Sequence, residues 1–180
     1  MSLRITFELE EKDLKYFRSQ MSRARKAAKD ATEEEVLGKA RSALEEARKN
    51  AVPLFVKERI EKIDALTRML DDSEWKLEGE ERRNVVSALS YFAEPEDIIP
   101  DHIPVLGFID DAIMIELVVR ELAHEIEAYQ DFCAYRKTAP KDKASREEWL
   151  ESKRQQLFAR MRRRRQRSYA ASGSRRLRLF

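Results

Sequence analysis

The chain has 180 residues, of which 36 are Lys or Arg and 34 are Asp or Glu, so its formal net charge is +2. Charged residues make up 39% of the sequence, above the roughly 25% of an ordinary globular protein, and Gly and Pro are scarce. This composition predicts one helical domain with strongly solvated faces. The most apolar stretch, residues 98–122, is interrupted by seven ionisable residues, which excludes a membrane-spanning helix of about 20 apolar residues.

The near-neutral total charge hides two oppositely charged parts. Residues 141–180 hold 14 basic and 4 acidic residues, whereas residues 1–140 hold 22 basic and 30 acidic ones. After Glu151 there are 11 basic residues and no acidic one. The sequence therefore predicts an acidic body with a basic arm. Cys133 is the only cysteine, which excludes an internal disulfide, and no signal peptide opens the chain, so we predict a cytoplasmic location.

The first third of the chain is patterned mainly for helices. Residues 3–9 alternate apolar and polar side chains, which is typical of an extended segment. A first helix is predicted over about residues 11–30 from its apolar spacing. Thr32 and Glu35 form the capping-box pattern that begins a second helix. Pro53 fits the first position of a third helix, where its missing N–H costs nothing.

A loop at residues 75–79 separates the third helix from a fourth, which is predicted over about residues 80–93. Residues 91–111 follow as a proline-rich connector. Proline fixes φ and pushes the preceding residue out of the α region, so several prolines at short spacing forbid one straight helix and impose a folded segment. The helix-breaking residues of this connector are Pro95, Pro100, Pro104 and Gly107.

The connector combines these residues with aspartates in a spaced pattern, Pro95-x-Asp97-x-x-Pro100-Asp101-x-x-Pro104-x-x-Gly107-x-x-Asp110-Asp111. This PxDxxPDxxPxxGxxDD pattern resembles the signature of the YkvA-like family, bacterial proteins that share a domain of unknown function. The resemblance covers about residues 85–122. It implies a shared fold and a site at these residues, and it implies no particular activity.

Helical spacing resumes after the connector. A long central helix is predicted over about residues 107–136, with a continuous apolar face that includes Cys133, so we assign this thiol to packing. A polar linker follows at residues 137–145. Ser145 and Glu148 form a second capping-box pattern at the end of this linker.

These elements define the predicted fold. It is all-α, a single compact domain of five or six helices over residues 1–136, with the proline-rich connector placed before the long central helix. Residues 137–145 link this domain to residues 146–180. That last part is predicted to be a basic C-terminal helix over about residues 146–167 and a flexible tail at residues 168–180.

The connector aspartates are the first candidate site. Clustered carboxylates repel one another unless a cation or nearby donors compensate, and Mg²⁺, Mn²⁺ and Ca²⁺ prefer oxygen ligands. One interpretation is therefore a divalent-cation or ligand site. The other is structural, with the aspartates capping helices, closing an Asx turn and occupying the first turn of the central helix. The candidate residues are Asp97, Asp101, Asp110, Asp111 and, as a ligand or acid–base group, His102.

No catalytic motif accompanies these residues. Zinc-type Cys/His spacing, a nucleophile elbow and a phosphate-binding glycine loop are all missing from the sequence. His124 follows Glu116 and Arg120 at helical spacing, which is typical of surface ion pairs. Nothing specific indicates an enzyme, and no cofactor is indicated except the divalent cation.

The basic arm is the second candidate site. Arginine suits phosphate because its planar fork binds two oxygens at once, and such contacts give salt-dependent binding that is largely blind to sequence. Three partners stay open: nucleic acid, with Tyr169 and Phe180 available for stacking; an anionic membrane surface; and the acidic body of the same molecule or of another protein. The candidate residues are Arg160, Arg162, Arg163, Arg164, Arg165, Arg167, Arg175, Arg176 and Arg178.

The sequence thus predicts a non-enzymatic binding or adaptor protein whose arginine-rich arm contacts nucleic acid or another polyanion, such as an acidic protein. A small activity that depends on a divalent metal or ligand at the connector aspartates is the alternative. Peripheral association with a membrane surface is a further alternative, and self-association of the acidic body with the basic arm is also open.

Overall fold

The computed structural model describes residues 8–49, 54–93 and 109–176. Within these ranges the chain is all-helical and has no strand, which confirms the predicted fold class. The described part has seven α-helices, of which six lie before residue 137 and one lies in the C-terminal part. The helices are α1 (Glu11–Ala27), α2 (Glu33–Lys49), α3 (Leu54–Asp71), α4 (Gly79–Leu89), α5 (Ile109–Glu121), α6 (Ala123–Arg136) and α7 (Lys143–Arg176).

Side-chain caps begin α2 and α7. The Thr32 N–H donates to Glu35 Oε2 at 2.7 Å and the Glu35 N–H donates to Thr32 Oγ1 at 3.2 Å, which confirms the predicted capping box. The Thr32 N–H and the Thr32 hydroxyl, which both donate to Glu35 Oε2, lower the pKa of Glu35. In α7 the Ser145 N–H donates to Asp142 Oδ2 at 2.9 Å. Asp142 is the residue just before the helix and therefore its cap, so the predicted box of Ser145 with Glu148 was wrong.

The helix predicted over residues 107–136 is divided at Leu122 into α5 and α6. Leu122 has φ −98° and ψ 17°, outside the α range. Its N–H still donates to the Val118 carbonyl at 3.0 Å, and its carbonyl accepts the Ile126 N–H at 2.9 Å. Because Leu122 is also buried, the apolar face crosses the break without a gap. Apolar periodicity reports only on that face, and it therefore predicts one helix where the backbone forms two.

Helix α7 is longer than the sequence predicted. It covers 34 residues, Lys143–Arg176, and so includes residues 168–176, for which the sequence predicts a flexible tail. That stretch has one glycine and no proline, so it contains no strong helix breaker. Neither α7 nor any other helix in the described ranges is apolar enough to cross a membrane.

Trp75 lies at the centre of the core, although the sequence predicts a loop at this residue. Residues 72–78 do connect α3 and α4, but Trp75 is 0% exposed. Its ring centroid lies 4.6 Å from that of Phe158, 5.0 Å from that of Phe132 and 5.8 Å from that of Tyr129. The loop therefore inserts between α6 and α7 and joins them to the preceding helices.

Helix α7 also contributes to this core. Leu150, Leu157 and Met161 are fully buried and belong to one cluster with side chains from each of the other six helices. Cys133 is half-buried and packs against the same cluster, in agreement with its predicted packing role. Over this part of its length, α7 is thus packed onto the body.

Some predicted features cannot be placed. Residues 3–7 of the predicted extended segment, Pro53 and residues 94–108 of the proline connector lie outside the described ranges. The C-terminal residues 177–180 also lie outside them.

Candidate nucleic-acid interface

One side of α7 is fixed to the body. Leu150, Arg154, Leu157 and Met161 are spaced four, three and four residues apart, so they line a single face of the helix. Arg154 is the charged member of this face and is buried with the others. Its Nη1 donates to the Glu74 carbonyl at 2.7 Å, which ties α7 to the loop that carries Trp75.

Asp72 organises that loop. Its Oδ1 accepts the N–H groups of Glu74 and Trp75 at 3.0 and 3.1 Å. Its Oδ2 accepts the Tyr129 hydroxyl at 2.9 Å and forms an ion pair with Arg136. Burial raises the pKa of the Asp72 carboxyl, but the donors outweigh burial and hold its pKa below the ordinary value.

Glu74 extends these contacts to the beginning of α7. Its Oε1 pairs with Arg146 Nε at 2.8 Å, and its Oε2 lies 3.7 Å from Arg136 Nη1. The hydrogen bond with Glu74 raises the pKa of Arg146. The network links the loop, α6 and α7 at one place. We call this group the clamp, and its residues are Asp72, Glu74, Arg136, Arg146 and Arg154.

The arginine-rich part of α7 runs antiparallel to α6. Arg160 pairs with Asp131, and Arg164 pairs with Glu127 one turn further along each helix. Both pairs lie at the surface, with about half of each side chain exposed. Ion pairs at this exposure contribute little to stability individually, about 0–1 kcal/mol each.

Helix α7 continues past the beginning of α6. Ser168 Oγ lies 3.1 Å from Nε2 of His124, the second residue of α6. Because the two helices are antiparallel, residues 169–176 lie beyond this point, a length of about 12 Å at 1.5 Å per residue. Arg175 and Arg176 belong to this extension, whereas Arg178 lies outside the described ranges.

On its other flank α7 pairs with α4. Arg162 Nε donates to Glu81 Oε1 at 2.6 Å and its Nη2 lies 3.3 Å from Oε2, so the guanidinium fork meets both carboxylate oxygens. The Arg162 side chain is 60% exposed and that of Glu81 only 6%, so the arginine covers the carboxylate. Burial raises the pKa of Glu81, but Arg162 and Arg165 outweigh burial and lower it.

Glu125 lies beneath these surface pairs. Its side chain is fully buried, and Oε1 accepts Arg165 Nη1 at 3.1 Å. Its Oε2 is buried without a hydrogen-bond partner among the described residues. Arg165 Nη2 also lies 3.8 Å from Glu80. Burial dominates here and raises the pKa of the Glu125 carboxyl.

Two arginines of the run face away from the body. Arg163 and Arg167 are exposed and four residues apart, so they share one side of the helix. Arg163 Nε donates to the Ala159 carbonyl of its own helix at 3.2 Å, and neither arginine pairs with a carboxylate in the described ranges. We call these two the outer arginines. The inner arginines are Arg160, Arg162, Arg164 and Arg165.

The structure describes only two of the five residues in the predicted connector site, Asp110 and Asp111. Asp97, Asp101 and His102 lie outside the described ranges. Asp110 is buried in the first turn of α5, and Asp111 follows it in the same turn. Among the described residues, no group of three or more His, Cys, Asp or Glu side chains could hold a metal ion. A divalent-cation site at the connector stays a prediction.

Sequence reasoning missed the acidic half of the interface. Glu80 and Glu81 on α4, and Glu125, Glu127 and Asp131 on α6, supply the carboxylates that meet the inner arginines. The excess of acidic residues before residue 141 was a signal for such pairing. It could not tell which acids face α7, because that depends on how the helices pack.

Comparison with known proteins adds a family match and no activity. A family model described as "Protein of unknown function (DUF1232)" matches residues 84–117, from within α4, through the connector, to within α5. No curated protein and no solved structure matches the chain. The match falls on the stretch with the proline and aspartate pattern, and it leaves α6 and α7 uncovered. About a fifth of this chain is thus similar to a domain of unknown function, DUF1232.

Proposed function

We propose that the protein is a non-enzymatic binding protein that holds nucleic acid against the outer arginines of α7. The observation that supports this is the division of the helix into a side buried in the core and a side with exposed guanidinium groups. Arg163 and Arg167 share the exposed side, and each offers a fork that fits two phosphate oxygens. A helix fixed along one side presents these groups with little further loss of conformational entropy.

The residues around the outer arginines favour nucleic acid over a membrane surface. A helix that lies in a membrane interface buries an apolar face there. The large apolar side chains Leu157 and Met161 instead lie in the protein core. The exposed neighbours of the arginines include Ala159 and Gln166, which are small or polar. A phosphate backbone requires only cationic donors, and this face supplies them.

Binding through this face should be modest in strength, dependent on salt and blind to sequence. Each phosphate contact contributes a slope of about −0.9 in log affinity against log salt on duplex DNA, and about −0.7 on single strands. Two outer arginines therefore account for a slope of roughly −1.4 to −1.8. Residues 169–176 extend the basic helix and so add to the positive electrostatic potential that attracts a polyanion.

The test is the double variant Arg163→Ala/Arg167→Ala, with Arg163→Lys/Arg167→Lys as a control that preserves the charge. Fluorescence anisotropy would measure binding of two unrelated DNA sequences and two unrelated RNA sequences between low and moderate salt. We expect the alanine variant to bind every sequence more weakly, with a slope shallower by about 1.4–1.8. The lysine variant should keep most of the slope.

Both variants should unfold at the same temperature as the parent, because exposed substitutions of this kind change stability by only about 0.5 kcal/mol. An alanine variant that binds nucleic acid as tightly as the parent, with the same salt slope, would remove the support for this function. So would a parent protein that binds no nucleic acid even at low salt.

A further inference from the structure

We propose that the carboxylates of α4 and α6 occupy the inner arginines in place of phosphate, so that the molecule covers part of its own polyanion-binding surface. This inference rests on the proposed function and concerns its regulation. The pairs that carry it join Arg160 to Asp131, Arg164 to Glu127 and Arg162 to Glu81.

These pairs use the same chemistry that phosphate would use. Arg162 presents Nε and Nη2 to the two oxygens of Glu81 at 2.6 and 3.3 Å, which is the two-pronged geometry of an arginine on a phosphate. One edge of a guanidinium group cannot serve a carboxylate and a phosphate at the same time. Polyanion binding at an inner arginine therefore competes with the carboxylate that already occupies it.

The solvent exposure of each arginine–carboxylate pair determines whether a phosphate can replace its carboxylate. The side chains of Arg164 and Glu127 are 44% and 46% exposed, and those of Arg160 and Asp131 are 37% and 46% exposed. A phosphate can approach these arginines from solvent, and each released carboxylate can be hydrated. Arg165 and Glu125 are only 13% and 1% exposed, so their contact is inaccessible and stays closed.

The competition should limit affinity without abolishing it. Exposed ion pairs are weak because solvent and salt screen them, whereas a nucleic acid offers many phosphates along one chain. The carboxylates of Glu127 and Asp131 also repel a polyanion that approaches the outer arginines. Removing these two charges should therefore open Arg160 and Arg164 and lower the repulsion together.

The test is the double variant Glu127→Gln/Asp131→Asn, which removes both charges and keeps the side-chain shapes. The matched control is Glu58→Gln/Glu61→Gln on α3, which changes the net charge equally at exposed residues that form no ion pair with α7 in the described ranges. Anisotropy titrations with the same DNA and RNA probes would compare the full-length variants with the parent.

We expect Glu127→Gln/Asp131→Asn to bind about two- to thirtyfold more tightly at low salt, the range that corresponds to releasing two exposed ion pairs. The salt slope should steepen by about 1.4–1.8, since two further phosphate contacts form. The α3 control should show neither the steeper slope nor more than a small gain in affinity from its altered net charge.

The outcomes separate this inference from the proposed function. If the parent binds through the outer arginines but Glu127→Gln/Asp131→Asn behaves like the α3 control, the inference is overturned and the proposed function stands. If only Glu127→Gln/Asp131→Asn binds, the inference stands and the assignment to the outer arginines fails. If the parent and both variants bind nothing at low salt, both are overturned.

Discussion

The two ends of the contact between α6 and α7 bury their carboxylates in different ways. At the clamp, Asp72 meets two backbone N–H groups, a tyrosine hydroxyl and an arginine. At the arginine-rich end, Glu125 meets one arginine, and one of its oxygens has no hydrogen-bond partner among the described residues. The pKa of Asp72 is consequently lowered and that of Glu125 is raised, although burial acts in the same direction on both.

From this difference we expect the two ends to respond differently to the loss of a charge. A carboxylate with all its donors in place stabilises one arrangement and resists exchange, because breaking the set leaves a charge buried without partners. Glu125 has fewer donors, but its contact with Arg165 is buried and stays closed. The pairs that we propose to exchange at this end are the exposed ones, Arg160 with Asp131 and Arg164 with Glu127. We therefore expect the clamp to hold α7 in place, and we expect the exchange proposed above to occur at the exposed pairs of the arginine-rich end.

The largest expected effect is at the clamp end, in the core beneath it. Trp75→Ala removes a fully buried ring that packs against Phe132 and Phe158, so it should cost roughly 3–5 kcal/mol. Thermal unfolding should shift down by about 6–20 °C. Trp149→Ala is the control, because Trp149 is only half-buried and should cost less. Equal shifts for the two variants would contradict the central role of Trp75.

A smaller effect is expected from the clamp carboxylate itself. Asp72→Asn keeps the shape but removes the charge that binds Arg136 and the Tyr129 hydroxyl, so it should cost about 1.5–3 kcal/mol. The neighbouring Asp71→Asn is a matched control, since Asp71 is exposed and its ion pair with Arg41 is worth less than about 1 kcal/mol. Urea denaturation would measure both. If Asp71→Asn proved as costly as Asp72→Asn, the distinction between buried and exposed pairing would fail.

The smallest effect should come from Glu125→Gln, within about 1 kcal/mol of the parent at neutral pH, because the substitution removes a carboxylate that burial already disfavours. Its diagnostic feature is the dependence on pH. The folded pKa of Glu125 is raised, so the stability it contributes is present below the ordinary value of 4.5 and is lost as pH rises through the folded pKa. Asp72 acts oppositely, contributing above its ordinary value of 3.8 and losing that contribution as pH falls through its folded pKa.

Urea midpoints measured from about pH 3 to pH 8 would test these signs. On acidification the parent should gain stability relative to Glu125→Gln and lose stability relative to Asp72→Asn. The Asp72 difference should change only in the most acidic part of the range. If the stability differences of both variants from the parent changed with the same sign on acidification, Glu125 and Asp72 would respond alike to pH. The contrast between the two ends of the contact would then be contradicted.

Local features of this fold could be predicted from the sequence. The α2 cap depends on Thr32 and Glu35, which lie three residues apart and make the predicted hydrogen bonds. Helical spacing also identified the all-helical class and the apolar face of α5 and α6. Such features depend on neighbours within about one turn of helix, so a single sequence contains the necessary information.

Features that depend on distant contacts could not be predicted. Trp75 looked like a loop residue, and only its packing against Phe132 and Phe158 makes it central. Arg162 is 81 residues from Glu81 in sequence, so nothing local indicates that pair. The arginine run was correctly recognised as basic, but its division into inner and outer members follows from where α4 and α6 lie beside α7.

The placement of the two tryptophans determines what intrinsic fluorescence can report. Trp75 is sealed in the core, and Trp149 stacks on Tyr135 with ring centroids 3.7 Å apart, so both emitters lie near the clamp. No indole therefore lies beside Arg163 or Arg167. Emission and quencher access will follow loosening of the clamp, but a ligand on the outer arginines can bind without altering the spectrum. An optical search for such a ligand needs a dye placed near the far end of α7.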